Sequence, residues 1–391
     1  MKSQLGFEYL LSYISRFIMK YNFINKSPQF SLLFVALIFC SCNLEKKEDS
    51  LSIDSWEIPT SESTEKKISN LIQDNYFLVP LQTNDSSLIV KIEKVVLDQD
   101  FLFILDPLSP QPVKVFDSKG KHLRNIGRKG GGPGELNNPI DMFIDEKYVF
   151  IYDNPEKLVR FDRLGNFVDS QKTGVAGFRI EKNKDKGYVF ITGGTESNLV
   201  TTDANFGSFK NFFPYQNRTV DQLILSPLSK LQDGTVIYRR YLNDTVFSIS
   251  DQGKPVSHLF IDHGDKAFKS DPSINTDQLE ERMVEYSINQ LFLENTDHQV
   301  LYFLRSMNPY FFVRNKKSEK TYLINFMNLD NDLTFTNPLA FTFCTSDWFV
   351  ASIDPSQLPT DRIKFDQKAK VALENVSAED NPVLMFCKFK L

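Results

Sequence analysis

A repeat of about 45 residues restricts the fold of this chain more than any other feature of its sequence. Residues 101–106 (FLFILD) are echoed by 148–153 (YVFIYD), and residues 113–120 (VKVFDSKG) by 158–165 (LVRFDRLG), at offsets of 47 and 45. A repeat of this length that contains about four short strands is typical of one blade of a β-propeller. The sequence therefore predicts an all-β ring of blades.

Each of these two copies also contains an Asp-x-x-Gly step. Asp117 precedes Gly120 by three residues, and Asp162 precedes Gly165 by the same spacing. An aspartate side chain accepts hydrogen bonds from the backbone that follows it, and glycine adopts positive φ at no steric cost. These steps predict tight hairpin turns between neighbouring strands.

Weaker copies extend the predicted ring to six blades. Copies three to five are indicated by apolar runs at 188–192, 235–238 with 246–253, and 300–304 with 310–313. A sixth blade is predicted from 341–344, 348–351 and 383–389, completed by the N-terminal run 76–81. A blade built from both ends of the chain hides strand edges that would otherwise be exposed. The content of 35 Phe and 14 Tyr also favours strands.

Two stretches, at about 275–293 and 357–375, break the strand pattern. In the first, Asp277 and Glu280 have the spacing of a helix N-cap and its glutamate partner. An approximately helical stripe then follows, made of Leu279, Met283, Tyr286 and Gln290-Leu291. We interpret both stretches as short helical insertions that pack against the ring.

The N-terminus reads as an export signal. Residues 30–40 form an apolar run of about half the length that a bilayer-spanning helix needs, and they follow Lys20 and Lys26. This pattern is typical of a cleaved signal peptide. Cys42 directly follows the small Ser41, as in bacterial lipoproteins, whereas cleavage before Cys40 would place bulky Phe39 at the cut.

These features predict three segments. Residues 1–41 are the lipoprotein signal, with Met19 as an alternative natural start; residues 42–70 are a tether and lead-in; residues 71–391 are the six-bladed propeller. Removal of residues 1–41 takes away four basic residues and one acidic residue, so the mature chain is more acidic than the precursor of formal charge −5. An acidic chain is a poor match for nucleic-acid phosphate, so we expect no nucleic-acid partner.

Several cations are candidates for a ligand site. The glycine-rich stretch 127–134 carries Arg128 and Lys129, and such a loop either presents backbone N–H groups to an anion or simply makes tight turns. Four arginines recur on predicted blade strands: Arg179, Arg239, Arg240 and Arg305. They either line the central channel and bind carboxylate or phosphate, or form salt bridges on blade faces. Arg239 and Arg240 must face opposite ways if both are in a strand.

Catalytic motifs are weak in this sequence. The stretch 261–265 (IDHGD) places His263 beside two aspartates, which is more typical of a turn than of an acid–base pair or metal site. Asp141 and Asp145 lack the pattern of a calcium loop, and four histidines in the whole chain make a multi-histidine metal centre improbable. We therefore assign no catalytic residue, metal or cofactor. Cys344 and Cys387 either form a disulfide in the sixth blade or remain two buried thiols.

Several of these motifs resemble a known family. The pieces 130–136 (GGGPGEL), 148–153 and Phe161-Asp162-x-x-Gly165 resemble an NHL repeat. More closely, the chain resembles the six-bladed β-propeller lipoproteins of Bacteroides-type bacteria, in 79–81 (VPL), 116–135, 243–247 (NDTVF) and 380–384 (DNPVL). The resemblance implies the fold over nearly the whole mature chain, and it implies no reaction.

The expected function is that of a binding module. We expect a lipid-anchored propeller at the outer membrane, on its periplasmic or cell-surface face, that contacts the membrane through its anchor. Its expected partner is an outer-membrane uptake complex or an acidic glycan or peptide. The charged stretch 45–49 (EKKED) resembles the short signal that directs such lipoproteins to the cell surface. The alternative is an NHL-type lyase or a lactonase-like hydrolase with a metal in the channel.

Overall fold

The computed structural model describes residues 54–391 apart from 185, 194–195, 216–226, 270–273, 275, 337–338 and 362–363. The predicted signal 1–41, the alternative start Met19 and the lipidation candidate Cys42 lie outside the described residues. Within the described residues, no helix is long and apolar enough to cross a membrane.

The described residues form mainly short strands. The strands are β1 (Asp54–Glu57), β2 (Phe77–Pro80), β3 (Lys94–Asp98), β4 (Phe101–Leu105), β5 (Val113–Asp117), β6 (His122–Ile126), β7 (Pro139–Ile144), β8 (Tyr148–Asp153), β9 (Lys157–Asp162), β10 (Phe167–Lys172), β11 (Gly177–Asn183), β12 (Gly187–Thr192), β13 (Ser197–Asp203), β14 (Phe209–Pro214), β15 (Leu228–Lys230), β16 (Val236–Arg239), β17 (Thr245–Ile249), β18 (Pro255–Asp262), β19 (Ser287–Glu294), β20 (His298–Arg305), β21 (Asn308–Asn315), β22 (Thr321–Asn325), β23 (Phe341–Cys344), β24 (Phe349–Ile353) and β25 (Val383–Cys387). The described α-helices are α1 (Ile68–Leu71), α2 (Thr276–Met283) and α3 (Gln367–Leu373).

These strands form six sheets, which are the blades of a β-propeller. In chain order, blade 1 is β3-β4-β5-β6, blade 2 is β7-β8-β9-β10, and blade 3 is β11-β12-β13-β14. Blade 4 is β15-β16-β17-β18 with β1 as a fifth strand, blade 5 is β19-β20-β21-β22, and blade 6 is β23-β24-β25-β2. The inner strands of consecutive blades contact one another from β3 to β23. The predicted six-bladed, all-β fold is therefore confirmed.

The N-terminal segment closes the ring. β2 is the outermost strand of blade 6 and pairs antiparallel with β25, from Phe77 opposite Phe386 to Pro80 opposite Val383. The rings of Phe77 and Phe386 stack with centroids 4.8 Å apart. The predicted completion of the sixth blade by residues 76–81 is thus confirmed. β1 extends the outer edge of blade 4, where Trp56 is buried.

The middle strands of a blade are buried on both faces, and this explains why they read as apolar runs, whereas an outer strand such as β10 is exposed. Along β8, Ile151 packs with Phe103 of blade 1, whereas the adjacent Tyr152 packs with Phe190 of blade 3. Successive side chains of a strand point to opposite faces of its sheet. Because each face meets a neighbouring blade, both sets must be apolar.

The predicted Asp-x-x-Gly turns are present. Asp117 Oδ1 accepts hydrogen bonds from the backbone N–H groups of Lys119 and Lys121, both at 2.9 Å. Gly120 has φ +83°, and Gly165 in the equivalent turn of blade 2 has φ +96°. Both glycines therefore adopt the left-handed conformation that the sequence predicted.

The predicted helical insertions are shorter than expected. Helix α2 ends at Met283, and residues 287–293, predicted as part of this helix, instead belong to β19. β19 pairs with β20 from Ser287 to Glu294, with a bulge between Asn289 and Leu291. In the second stretch, helix α3 covers only Gln367–Leu373, and Pro355–Gln357 form a 3₁₀ turn. Burial of every residue of β19 between strands outweighed its approximate helical spacing.

Candidate functional site

The connections at the two ends of the blades differ in length. At one end of the ring, the chain passes from one blade to the next and from the second to the third strand of each blade. We call this end the loop end, and we call the opposite end the turn end. Among the described strands, no turn at the turn end is longer than five residues, as in 231–235. Six of the seven connections of twelve residues or more join strand ends at the loop end: 81–93, 127–138, 215–227, 263–286, 326–340 and 354–382. The seventh, 58–76, joins β1 to the start of β2, which lies at the turn end.

The glycine-rich connection between blades 1 and 2 holds a carboxylate of its own. The backbone N–H of Gly132 donates to Glu135 Oε2 at 2.7 Å, and Arg128 lies 2.6 Å from Glu135 Oε1. The Gly132 N–H and the Arg128 guanidinium lower the pKa of Glu135. The loop therefore does present N–H groups to an anion, as the sequence suggested, but that anion is internal. Lys129 is exposed beside it.

Arg179, on the inner strand β11, forms an ion pair and hydrogen bonds within the protein. Its guanidinium pairs with Glu93 and donates to the carbonyl oxygens of Ile140 at 3.2 Å and Phe178 at 2.9 Å. Burial opposes ionisation of Glu93, but Arg179 and Lys91 outweigh it and lower the pKa of that carboxyl. Arg179 thus joins blade 3 to the connection that enters blade 1.

Arg239 is fully buried and supports an irregular strand. Its guanidinium donates to the carbonyl oxygens of Asn289 at 3.1 Å and Gln290 at 2.5 Å, where β19 bulges between Asn289 and Leu291. Burial lowers the pKa of Arg239 to about 10. A bulge leaves backbone groups outside the regular ladder, and the arginine satisfies two of them.

The remaining predicted arginines contact aromatic rings. Arg240 lies over Phe213 of blade 3 at 5.2 Å, so it does face away from Arg239, which contacts blade 5. Arg305 lies over Phe303 at 5.2 Å and donates to the carbonyl oxygen of Pro59 at 3.0 Å. The five predicted arginines therefore make separate contacts within the protein. In the described part of the chain, Lys129 is the predicted cation whose side chain has no partner.

Sequence analysis missed a charged network that crosses four inner strands. Lys94 of blade 1 lies 3.0 Å from Asp141 of blade 2 and 3.2 Å from Glu181 of blade 3. Lys230 of blade 4 lies 3.5 Å from the other oxygen of Glu181. Burial disfavours the charge of Lys94, but the two carboxylates outweigh burial and raise its pKa. The sequence did contain a sign of the Lys94–Asp141 pair, because these residues are 47 positions apart, which is the repeat offset, and therefore occupy equivalent positions in blades 1 and 2.

His263 belongs to a buried polar cluster between blades 4 and 5. Its Nε2 lies 2.9 Å from Asn289 Oδ1, and Asn289 Nδ2 donates to Asp244 at 2.8 Å. Burial lowers the pKa of His263 to about 4 and raises that of Asp244 to about 7. Among the residues that the structure describes, no group of three or more His, Cys, Asp or Glu side chains is arranged to hold a metal ion.

The two candidate disulfide cysteines are free thiols in the structure. Cys344 on β23 and Cys387 on β25 both lie opposite Phe349, from its two sides, so the whole of β24 separates them. Two strand spacings of about 4.8 Å exceed the ~7 Å over which Cα atoms can be bridged. This geometry favours the second of the two alternatives, a pair of buried thiols, and burial raises the pKa of both.

Comparison with known proteins identifies similar chains. The family described as "Domain of unknown function (DUF4934)" matches residues 53–388. A crystal structure from Bacteroides fragilis, named as that of a candidate exported protein, has 18% sequence identity and a TM-score of 0.68, and covers 87% of this chain and 100% of its own. This likeness shows the propeller fold.

Two further structures are more distant. Virginiamycin B lyase from Staphylococcus aureus has 10% identity and a TM-score of 0.39, covering 64% of this chain and 74% of its own. BamB from Moraxella catarrhalis has 12% identity and a TM-score of 0.38, covering 63% and 67%. The comparison with curated proteins found no significant match.

Proposed function

The chain belongs to the DUF4934 family, and we propose that it is an exported, lipid-anchored β-propeller that binds an envelope ligand at its loop end. The proposed role is recognition without catalysis. The proposed ligand is an acidic glycan or peptide, or a component of an outer-membrane uptake complex.

The difference in connection length carries this proposal. Six of the seven connections of twelve residues or more between described strands begin and end at the loop end, whereas the hairpins of the turn end are at most five residues long. Parts of these connections pack on the ring, as Leu333 and Leu373 do, and binding residues concentrate in the exposed parts of loops that a rigid framework positions. The blades supply that framework because both faces of their middle strands are buried.

The proposed anchor is Cys42, on the outer membrane. The first described strand begins at Asp54, and the intervening residues span at most about 40 Å when fully extended. A diacyl or triacyl anchor holds a protein stably on a bilayer, which a single chain does not. Replacement of Cys42 by Ala should abolish acyl labelling and release the chain from the membrane fraction. Normal acylation of the variant would reject Cys42 and favour Cys40.

The proposed ligand site is tested with purified chain that lacks residues 1–41. Arrays of envelope glycans and acidic peptides should retain this chain. Replacement of Lys129 by Ala, at the loop end, should weaken retention of an acidic ligand, whereas replacement of Lys254 by Ala, in a turn-end hairpin, should not. Equal binding by both variants, or none by the parent chain, would contradict the proposal. Metal analysis of the same preparation tests the lyase or hydrolase alternative.

A further inference from the structure

A cavity of about 430 Å³ opens at the turn end, between blades 4 and 5. It lies where the β15–β16 turn faces the β19–β20 turn, and its wall residues are Leu231, Gln232, Asp233, Asn295, Thr296 and Lys316. The cavity is open to solvent on one side, and its volume is sufficient for a small molecule that stays partly exposed. One wall carries a cation and the opposite wall an anion, with amide and hydroxyl groups between them.

The cation of the cavity wall, Lys316, pairs with a buried carboxylate. Lys316 Nζ lies 2.7 Å from Oε1 of Glu294, whose side chain is fully buried, and 3.3 Å from the carbonyl oxygen of Asn295. His258 Nε2 lies 2.8 Å from the other oxygen of Glu294. Burial opposes ionisation of Glu294, but His258 and Lys316 outweigh it and lower the pKa of that carboxyl. An ammonium has three N–H donors, so Lys316 retains one for a molecule in the cavity.

The anion is fixed on the blade 4 wall. Asp233 accepts hydrogen bonds from the backbone N–H of Thr235 at 2.9 Å and from its hydroxyl at 2.8 Å. Its carboxylate remains 64% exposed, and the nearest cation, Lys184, is 4.0 Å away. A carboxylate accepts about four hydrogen bonds, so Asp233 has free acceptor positions. Leu231 adds an apolar contact beside it.

We propose that this cavity binds a small zwitterion, either a free amino acid or a short peptide with free termini. The ligand's carboxylate meets Lys316 and its ammonium meets Asp233. The Gln232 amide nitrogen is a donor for a peptide carbonyl, whereas Gln232 Oε1 accepts from the Thr296 hydroxyl at 3.3 Å. A simple anion would face Asp233 and a simple cation would face Lys316, so each would have a like charge in the same cavity. The site lies at the opposite end of the blades from the loop end, so it is independent of the proposed function above.

Calorimetric titration of the mature chain tests this inference. The probes are alanine, dialanine and trialanine, each compared with its N-acetylated and its C-amidated form. At least one unblocked probe should bind, and blocking either terminus should weaken its binding at least tenfold. Asp233→Asn and Lys316→Met should each weaken binding at least tenfold. Lys317→Met, which changes an exposed neighbour outside the cavity wall, should leave binding unchanged.

Each outcome decides the proposal. Absence of binding by all unblocked probes overturns it, and binding that survives both Asp233→Asn and Lys316→Met places the probe elsewhere. Binding that is unaffected by N-acetylation overturns the zwitterion class, because only the carboxylate is then recognised. Lys316→Met leaves Glu294 with one cation fewer, so its thermal unfolding is compared with that of the parent. If the Lys316→Met variant fails to fold, the binding of the acetylated probes and the Asp233→Asn variant still test the proposal.

Discussion

Asp153, the last residue of the second strand of blade 2, accepts a hydrogen bond from the backbone N–H of Asn138 at 2.6 Å. In blade 1, Asp106 accepts one from the backbone N–H of Val90 at 2.7 Å. Both aspartates are buried, and they occupy equivalent positions of the repeat, 47 residues apart. In each of these two blades, one buried carboxylate therefore fixes the connection that enters the blade from the loop end.

Asp153→Ala should lower the free energy of unfolding by about 2–4 kcal/mol. The change removes the acceptor for the N–H groups of Asn137 and Asn138 and the partner of Lys157, 2.9 Å away. Leaving buried polar groups without partners is costly. Urea unfolding measures the loss. Asp169→Ala is the control, because Asp169 is exposed and pairs only with Arg160 at the surface; it should cost under ~1 kcal/mol. Equal decreases in the free energy of unfolding for the two variants would show that Asp153 does not fix the connection that enters blade 2.

Lys94→Met should also destabilise the ring, by about 3 kcal/mol, because removing one partner leaves the buried carboxylates of Asp141 and Glu181 without their shared cation. Adding Glu181→Gln to this variant should recover part of the loss in a double-mutant cycle. Lys172→Met, at an exposed pair with Glu156, is the surface control. If the double variant is as unstable as the sum of the two single variants, the network does not couple the inner strands.

The sequence predicted the blades because their signals are local. The turn Asp117–Gly120 and the apolar run of β4 each require only neighbouring residues, and the repeat offset multiplies them around the ring. β19 was missed because its eight buried residues show no alternation, and the spacing of Leu279 and Met283 seemed to continue into it. Burial between blades, a non-local contact, decided the structure of that segment: Leu291 and Leu293 pack towards blade 6, and Phe292 packs towards blade 4.

The predicted cation site stays a prediction, and its arginines show a different limit of sequence analysis. Alternation tells that Arg239 and Arg240 point to opposite faces, but in a propeller both faces meet other blades, so it does not tell which side chain reaches the channel. Arg239 contacts blade 5, and Arg240 contacts blade 3. Only the packed ring reveals that their partners are carbonyl oxygens and an aromatic ring.

The cluster between blades 4 and 5 predicts opposing pH dependences. Burial raises the folded-state pKa of Asp244 to about 7, so its contribution to stability is present at low pH and is lost as pH rises from about 4 to 7. Burial lowers the folded-state pKa of His263 to about 4, so the contribution of His263 to stability grows as pH rises from about 4 to 6.5. In the parent chain the two slopes largely cancel.

Single replacements separate these slopes. Relative to the parent, Asp244→Asn should become more stable with rising pH between about 4 and 7, and His263→Gln should become less stable between about 4 and 6.5. The slope of each difference is at most about 1.4 kcal/mol per pH unit. Urea unfolding at four pH values measures both. If the stability of each variant changes with pH in parallel with that of the parent, the pKa of neither group differs between the folded and the unfolded chain.

Cys344 and Cys387 should remain reduced in the native protein. Non-reducing mass spectrometry should find both thiols, without the two-dalton deficit of a disulfide. Because burial raises the pKa of both thiols, an alkylating reagent should modify them slowly in native buffer and fast in urea. A disulfide in the native protein would require β24 to leave the sheet, and its detection would reject the strand order of blade 6.

The junction of blade 1 with the closing strand depends on a single glycine. Gly120 has φ +83°, and a Cβ atom at this position would overlap the carbonyl oxygen of Pro80 at the end of β2. Gly120→Ala should therefore cost at least about 2 kcal/mol, from left-handed backbone strain together with displacement of β2. Gly131→Ala is the matched control, because no atom lies within 4 Å of its Cβ position and its φ is not left-handed; it should change stability by under ~0.5 kcal/mol. Thermal unfolding compares the two variants, and hydrogen exchange in β2 should rise only for Gly120→Ala. Unchanged exchange in β2 would show that this turn does not support ring closure.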